Sequence, residues 1–126
     1  MKITSFNPLI VTKNGEEVIA LFEALGFERR HNLHANTGTT DFNSVRMRDA
    51  GGFHVDVANV PTVEKDMTLI RMNVDDFDEA YRFLTERGFT NPRGGKTVDT
   101  KSNKSCMMKS PSGFAFDLCQ HIKDHD

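Results

Sequence analysis

The sequence contains GGFHVDVAN at residues 51–59 and SGFAFDLCQ at residues 112–120. Each stretch opens with glycine and phenylalanine and then places an aspartate inside an apolar run, Asp56 in the first and Asp117 in the second. Successive side chains of a β-strand point to opposite faces, so one face of each stretch is apolar and the other carries the acid. We therefore expect two related strands that each pack on a core through one face only.

The sequence features around these two strands, namely the helix ends and the glycines of the final hairpins, recur at a nearly constant spacing. A strand and an amphipathic helix precede each of them, and the helices end at Gly26-Phe27 and Gly88-Phe89, 62 residues apart. The glycines that open the two final strands, Gly52 and Gly113, are 61 residues apart. The order of strand, helix and three strands thus occurs twice, which indicates a tandem duplication of one supersecondary unit.

A unit of about 60 residues buries little apolar surface by itself, so we expect both copies to share one sheet in a single domain. That domain covers residues 1–126, with module 1 at about 1–60, a connector at 61–66 and module 2 at about 67–121. The predicted fold class is α+β, with two tandem βαβββ modules.

Both helices are predicted from apolar residues at i, i+3, i+4 and i+7. In the first helix the face expected to be buried consists of Val18, Leu21, Phe22 and Leu25. In the second helix it consists of Phe77, Ala80, Tyr81 and Leu84. Asn14 is the expected N-cap of the first helix. Pro8 predicts that the first strand, residues 2–11, lies at a sheet edge or ends there.

Composition and charge exclude several classes of function. The 16 basic and 18 acidic residues are well mixed and leave a net charge of −2, so we expect no nucleic-acid partner. Neither a signal peptide nor an apolar run long enough to cross a membrane is predicted. The two cysteines, Cys106 and Cys119, lack CxxC spacing and are expected to be reduced thiols. These features predict a cytoplasmic protein without a membrane partner.

Two motifs carry a resemblance to a known family. The first is a strand and a helix ending in Leu25-Gly26-Phe27, and the second is SPSGFAFDL at 110–118. With the repeated order of elements, they make residues 1–121 resemble the vicinal oxygen chelate superfamily of glyoxalases, bleomycin-resistance proteins and extradiol dioxygenases. The resemblance implies a curved mixed sheet with an open cup, and often a second subunit that completes the cup.

Enzymes of this superfamily hold a divalent metal through one early and one late position in each module. By resemblance, the late positions are Asp56 and Asp117. The early positions are Phe6, or Ser5 if the register slips by one residue, and Leu69, or Thr68.

Strand alternation then predicts which side chains face the cup and which face the helices. The helix-facing set consists of Phe53, Val55, Val57, Ile70, Met72, Val74, Phe114, Phe116 and Leu118. The ligand cup is expected to contain Phe6, His54, Asp56, Leu69, Arg71, Asn73, Asp117 and Cys119.

The functional prediction follows from the chemistry of these positions. Phe6 and Leu69 cannot bind a metal, so we expect a small-molecule-binding protein of the bleomycin-resistance type, a homodimer without a metal or other cofactor. Its acids would balance cations in the cup, with Arg71 as a natural partner of Asp117 or Asp56.

Two alternatives remain open from the sequence. One is a metal-dependent lyase or isomerase similar to glyoxalase, acting on a thiol adduct. Asp56 and Asp117 would hold zinc, nickel or manganese, and His54 or one of the acids would be the general base. The other is a structural or regulatory dimer with an empty cup, which would be favoured if the side chains of Phe6, Leu69 and methionines filled the cup.

Overall fold

The computed structural model describes residues 1–36, 41–100 and 103–121, without the side chains of 33–36 and 41–42. The elements along the described chain are β1 (Ile3–Thr12), α1 (Gly15–Ala24), β2 (Glu28–Asn36), β3 (Asp41–Arg48), β4 (His54–Asn59), β5 (Met67–Val74), α2 (Phe77–Thr85), β6 (Val98–Asp99), β7 (Asn103–Lys109) and β8 (Ala115–His121). The α+β class and the two βαβββ modules are thereby confirmed. Neither helix of the described chain is long and apolar enough to span a membrane.

The structure divides into two compact units. The first unit comprises Asn7–Thr68 and contains most of β1, together with α1 and β2 to β4. The second unit comprises Met1–Phe6 and the described chain from Leu69 to His121, and it contains most of β5, together with α2 and β6 to β8. Strand β1 therefore contributes residues to both units.

The strand order in the first unit is β2-β3-β4-β1. Strands β2, β3 and β4 are antiparallel, and β1 runs parallel to β4. The prediction for Pro8 is wrong, because β1 has β4 and β5 as its two neighbours and continues to Thr12. The register with β4 begins at Leu9, directly after Pro8. Proline has no N–H to donate, so the pairing starts beyond it.

The core of the first unit lies between α1 and the sheet. Its buried members are Ile19, Val45, Met47, Val55 and Val57. Val18 and Phe22 pack against them as predicted, but Leu21 and Leu25 are 57% and 64% exposed. The predicted face of α1 is therefore wrong for these two leucines, because the helix turns Ile19 rather than Leu21 toward the sheet.

Phe53 also departs from its predicted place in the core. It is 71% exposed, because β4 begins only at His54 and the alternation of that strand does not extend to Phe53. Its backbone N–H donates instead to the Asp49 carboxylate in the turn before β4. Val55 and Val57 follow the predicted alternation and are buried.

In the second unit the strands follow the order β1-β5-β8-β7-β6. Strand β5 is parallel to β8, whereas β8, β7 and β6 are antiparallel. The buried core consists of Met72, Val74, Phe77, Ala80, Leu84, Cys106, Met108 and Leu118, with Tyr81, Phe89 and Phe116 packed against it. The predicted face of α2 is confirmed. Phe114 is half exposed, and its ring packs edge-on against Phe89 and Phe116.

An amide from the last strand of each module caps that module's helix. The Asn59 carbonyl accepts a hydrogen bond of 2.9 Å from Gly15 N–H, and the Gln120 carbonyl accepts one of 2.7 Å from Phe77 N–H. The two amides are 61 residues apart, which is the spacing of the module repeat. Asn14 occupies the N-cap position as predicted, but its side chain makes no capping hydrogen bond.

We expect Asn59→Ala to lower the free energy of unfolding by about 1 kcal/mol, because Gly15 N–H loses its acceptor at the helix terminus. Urea denaturation followed by circular dichroism measures the change. Asn14→Ala is the matched control and should cost less than about 0.5 kcal/mol, the range of a neutral surface substitution. An Asn14→Ala cost equal to that of Asn59→Ala would contradict the cap seen in the structure.

Candidate functional site

The carboxylate of Asp56 is completely buried on the face of the first unit's sheet opposite α1. Its Oδ2 accepts a hydrogen bond of 2.9 Å from Asn7 Nδ2 and lies 3.3 Å from Arg46 Nη1. Arg46 Nη1 also lies 3.4 Å from Asn7 Oδ1, so the three side chains form one closed group. The predicted alternation of β4 is confirmed, since Val55 and Val57 face the helix while Asp56 faces away.

The hairpin between β3 and β4 positions Arg46. Asp49 accepts a hydrogen bond of 2.8 Å from Phe53 N–H, and Gly52 takes a φ of 89°, which glycine adopts without steric cost. This turn sets the register that places Arg46 directly opposite Asp56. Directly opposite residues of an antiparallel pair share one face of the sheet, so the two charges meet.

The side chain of Phe6 does not lie on the Asp56 face of the sheet. It is 58% exposed, and strand alternation places it on the face opposite to Ser5 and Asn7. The side chain that reaches Asp56 from β1 is that of Asn7. Sequence reasoning missed Asn7 and Arg46, although counting back from the turn at Asp49 would have placed Arg46 opposite Asp56.

His54 lies on the same face, two residues before Asp56. Burial lowers its pKa below the ordinary value of 6.5, and the charges of Arg46 and Arg48 lower it further. Asp56 acts in the opposite direction and Arg30 adds a smaller lowering. The imidazole is therefore neutral at pH 7 and can accept a proton.

The second unit contains a similar ion pair at Asp117. Arg71 Nε and Nη2 each lie 2.9 Å from Asp117 Oδ2. Both side chains are largely buried, at 14% and 15% exposed. The parallel register of β5 and β8 places Arg71 directly opposite Asp117. The predicted pairing of Arg71 with Asp117 is confirmed.

Cys119 and Asn73 extend this group along the same face. Cys119 is buried, and its Sγ lies 3.4 Å from Asp117 Oδ2. Asn73 is 2% exposed and donates a hydrogen bond to the Ser5 hydroxyl, while its Oδ1 has no hydrogen-bond donor among the described residues. Leu69, the remaining predicted cup residue, is partly buried at the start of the second unit.

Cys106 and Cys119 are both buried and free of disulfide bonds. Burial, followed by the charge of Asp117, raises the pKa of the Cys106 thiol to about 12, although Lys104 acts in the opposite direction. A thiol that stays protonated at neutral pH cannot attack a substrate.

The side chains around the two aspartates do not fit a divalent metal. A metal site needs several lone-pair donors that converge on one point. Asp56 accepts hydrogen bonds from the N–H groups of Asn7 and Arg46, and Asp117 accepts them from Arg71. These neighbours are hydrogen-bond donors and offer no lone pairs to a metal at these points. Within the described ranges, no group of three or more His, Cys, Asp or Glu residues could hold a metal ion.

A cavity that the sequence did not predict lies on the opposite face of the first unit's sheet. It has a volume of about 390 Å³ and opens beside the first turn of α1. Its lining combines four asparagines and four charged residues with the apolar side chains of Ile19, Val45 and Val57. The asparagine that caps α1, Asn59, forms part of its wall. This cavity is separated from Asp56 by the sheet, because Val57 and Asp56 point to opposite faces.

The sequence matches no family model and no curated protein sequence. The structure, however, is similar to several solved structures. A variant of methylmalonyl-CoA epimerase from Streptomyces coelicolor, in complex with 2-nitronate-propionyl-CoA, aligns with a TM-score of 0.70 at 11% identity, over 97% of this chain and all of that one.

A glyoxalase/bleomycin resistance protein/dioxygenase superfamily member from Vibrio splendidus aligns with a TM-score of 0.55 at 16% identity, over 96% of this chain and all of that one. A mutant of 4-hydroxymandelate synthase from Streptomyces coelicolor aligns with a TM-score of 0.64 at 13% identity. That alignment covers 95% of this chain but 49% of the synthase, so this chain spans about half the length of that enzyme. The chain therefore has the fold of the vicinal oxygen chelate proteins that its two repeated strands predict.

Proposed function

We propose that this protein binds a small molecule in the manner of the bleomycin-resistance proteins and does so without a catalytic metal or other cofactor. The observation that carries the proposal is that each of the two late-strand acids, Asp56 and Asp117, forms an ion pair with an arginine. Asp56 is held by Arg46 and Asp117 by Arg71, each inside its own unit. An arginine that is already paired to a carboxylate satisfies the charge that a metal would otherwise balance.

The polar groups on these faces suit recognition of a ligand. Asn73 keeps a buried carbonyl oxygen without a donor among the described residues, and His54 is a neutral imidazole beside Asp56. A small number of oriented polar groups on an otherwise apolar surface is typical of small-molecule sites. The complex of the epimerase with an acyl-CoA analogue shows that one protein of this fold binds such a molecule.

A ligand screen by NMR on the ¹⁵N-labelled chain tests the proposal. Ligands that bind should shift the signals of Asn7, His54 and Asp56 or those of Arg71, Asn73 and Asp117. Asp117→Asn should weaken a ligand of the second group about tenfold, because Arg71 is left without its partner and turns away from its present position. Asp66→Asn, an exposed change outside both groups, is the matched control. Ligands that shift neither group would contradict the proposal.

The second candidate is a glyoxalase-like lyase or isomerase, and the lowered pKa of His54 is the observation that favours it. A neutral imidazole can remove a proton from a carbon next to a carbonyl group, and nearby arginines would stabilise the negative charge that develops. Arg46 and Arg48 are close enough to His54 for their charges to lower its pKa. The metal that usually assists such chemistry would have to displace Arg46 or Arg71 from the aspartates.

Metal content and turnover separate the two candidates. Purified protein is equilibrated with zinc, nickel or manganese, freed of excess ions, and assayed with the adduct of methylglyoxal and glutathione. We expect much less than one metal ion per chain and no product above the uncatalysed rate. One ion per chain that is lost in Asp117→Asn, with turnover that is lost in His54→Gln, would establish the lyase instead.

We also propose that the protein is a cytoplasmic homodimer. Its two buried free thiols suit a reducing compartment, and several large apolar side chains of the first unit are exposed, among them Leu21, Leu25 and Phe53. Sedimentation equilibrium should give twice the mass of one chain. A monomer at micromolar concentration would contradict the proposed dimer and leave the binding proposal standing.

A further inference from the structure

Arg46 and Arg48 both lie on the Asp56 face of the first unit's sheet, which is the face that carries Asn7, Arg46, His54 and Asp56. Arg48 lies directly opposite His54 in the register of β3 and β4, two residues from the Arg46–Asp56 pair. Directly opposite residues place their Cβ atoms about 5 Å apart on one face, so Arg48 and His54 are neighbours. Arg30 lies at the irregularity of β2 between Arg29 and His31 and has the smallest electrostatic effect on the same imidazole.

The negative charge on this face does not balance these cations. Asp56 forms its ion pair with Arg46, at 3.3 Å, and therefore does not neutralise the charges of Arg48 and Arg30. Glu28 lies opposite Arg48 in the register of β2 and β3, but no ion pair joins them. Across the described residues, neither Arg48 nor Arg30 makes an ion pair or a side-chain hydrogen bond with another residue. Both guanidinium groups are exposed and available to a ligand.

Burial is the first cause of the lowered pKa of His54, the charges of Arg46 and Arg48 lower it further, Asp56 raises it and Arg30 adds a smaller lowering. A neutral imidazole in a positive potential can donate its N–H to an anion without adding a charge of its own. The position of His54 between Arg46 and Arg48 thus marks a point where an acidic group would be stabilised.

We propose that Arg48, Arg30 and His54 form a subsite for the anionic group of the ligand, a carboxylate or a phosphate. This inference rests on the proposed function, because it names the chemical class of the small molecule that binds. Guanidinium groups suit both anions, since their paired N–H donors match two oxygens at once. Asp56 does not repel the anion strongly, because Arg46 and Asn7 already compensate its charge.

Titration of the full-length ¹⁵N-labelled chain with inorganic phosphate, and separately with succinate, tests the subsite. Both probes should produce saturable shifts at Arg48, Arg30 and His54, and added sodium chloride should weaken binding, because exposed charges are screened. The tighter of the two probes identifies whether the natural group is a phosphate or a carboxylate. Arg48→Gln should weaken binding about fivefold, the effect of losing roughly 1 kcal/mol at an exposed charge pair.

Arg29→Gln is the matched control, because it removes the same charge from the neighbouring strand β2, on the face that packs against α1. Arg29 lies opposite the buried Met47 and pairs with Glu16 and Glu23 on α1. Its substitution should leave the affinity for phosphate and succinate within about twofold. Equal weakening by Arg29→Gln and Arg48→Gln would show a general charge effect and overturn the subsite, as would the absence of saturable shifts at Arg48 and His54.

Failure of the anionic subsite can be distinguished from failure of the proposed small-molecule binding. An anionic ligand from the screen that binds the Asp56 face with equal affinity in the native chain and in Arg48→Gln would overturn the anionic subsite and leave small-molecule binding intact. Circular dichroism of Arg48→Gln should match that of the native chain, because the side chain is exposed and packs against no core residue.

Discussion

A carboxylate that is completely removed from water needs a cation or hydrogen-bond donors beside it, and Asp56 imposes this constraint on the first unit. Arg46 on β3 and Asn7 on β1 supply them from the two strands that flank β4. A shift of either neighbour by one residue would turn its polar side chain to the helix side and leave the acid unpaired. The ion pair therefore depends on the same register that packs Val55 and Val57 against α1.

The two modules meet this requirement with different strands. In the first, the arginine is on the antiparallel neighbour β3, and the parallel neighbour β1 has Leu9 opposite Asp56. In the second, the arginine is on the parallel neighbour β5, and the antiparallel neighbour β7 has Met107 opposite Asp117. Each acid is thus paired with an arginine, but the arginine lies on an antiparallel neighbour in one module and on a parallel neighbour in the other.

Much of the fold could be predicted because strand alternation and helix stops are local properties. The apolar faces of β4, β8 and α2 were predicted from the chain alone, and so was the pairing of Arg71 with Asp117. The errors occurred where two local patterns competed. The first helix has apolar residues all round its middle, so periodicity could not decide between Leu21 and Ile19. Phe53 was assigned to a strand that begins one residue later.

The sequence by itself determined the repeated βαβββ order, the faces of the final strands and the presence of an acid in each, because these follow from periodicity and spacing along the chain. Only the tertiary structure decided that Asn59 rather than Asn14 caps α1, that Asn7 rather than Phe6 reaches Asp56, and that Arg46 neutralises it. These contacts join residues that are between 10 and 49 positions apart, and they exist only once the strand register is set. The register depends on turns and core packing acting together, which no single stretch of the chain specifies.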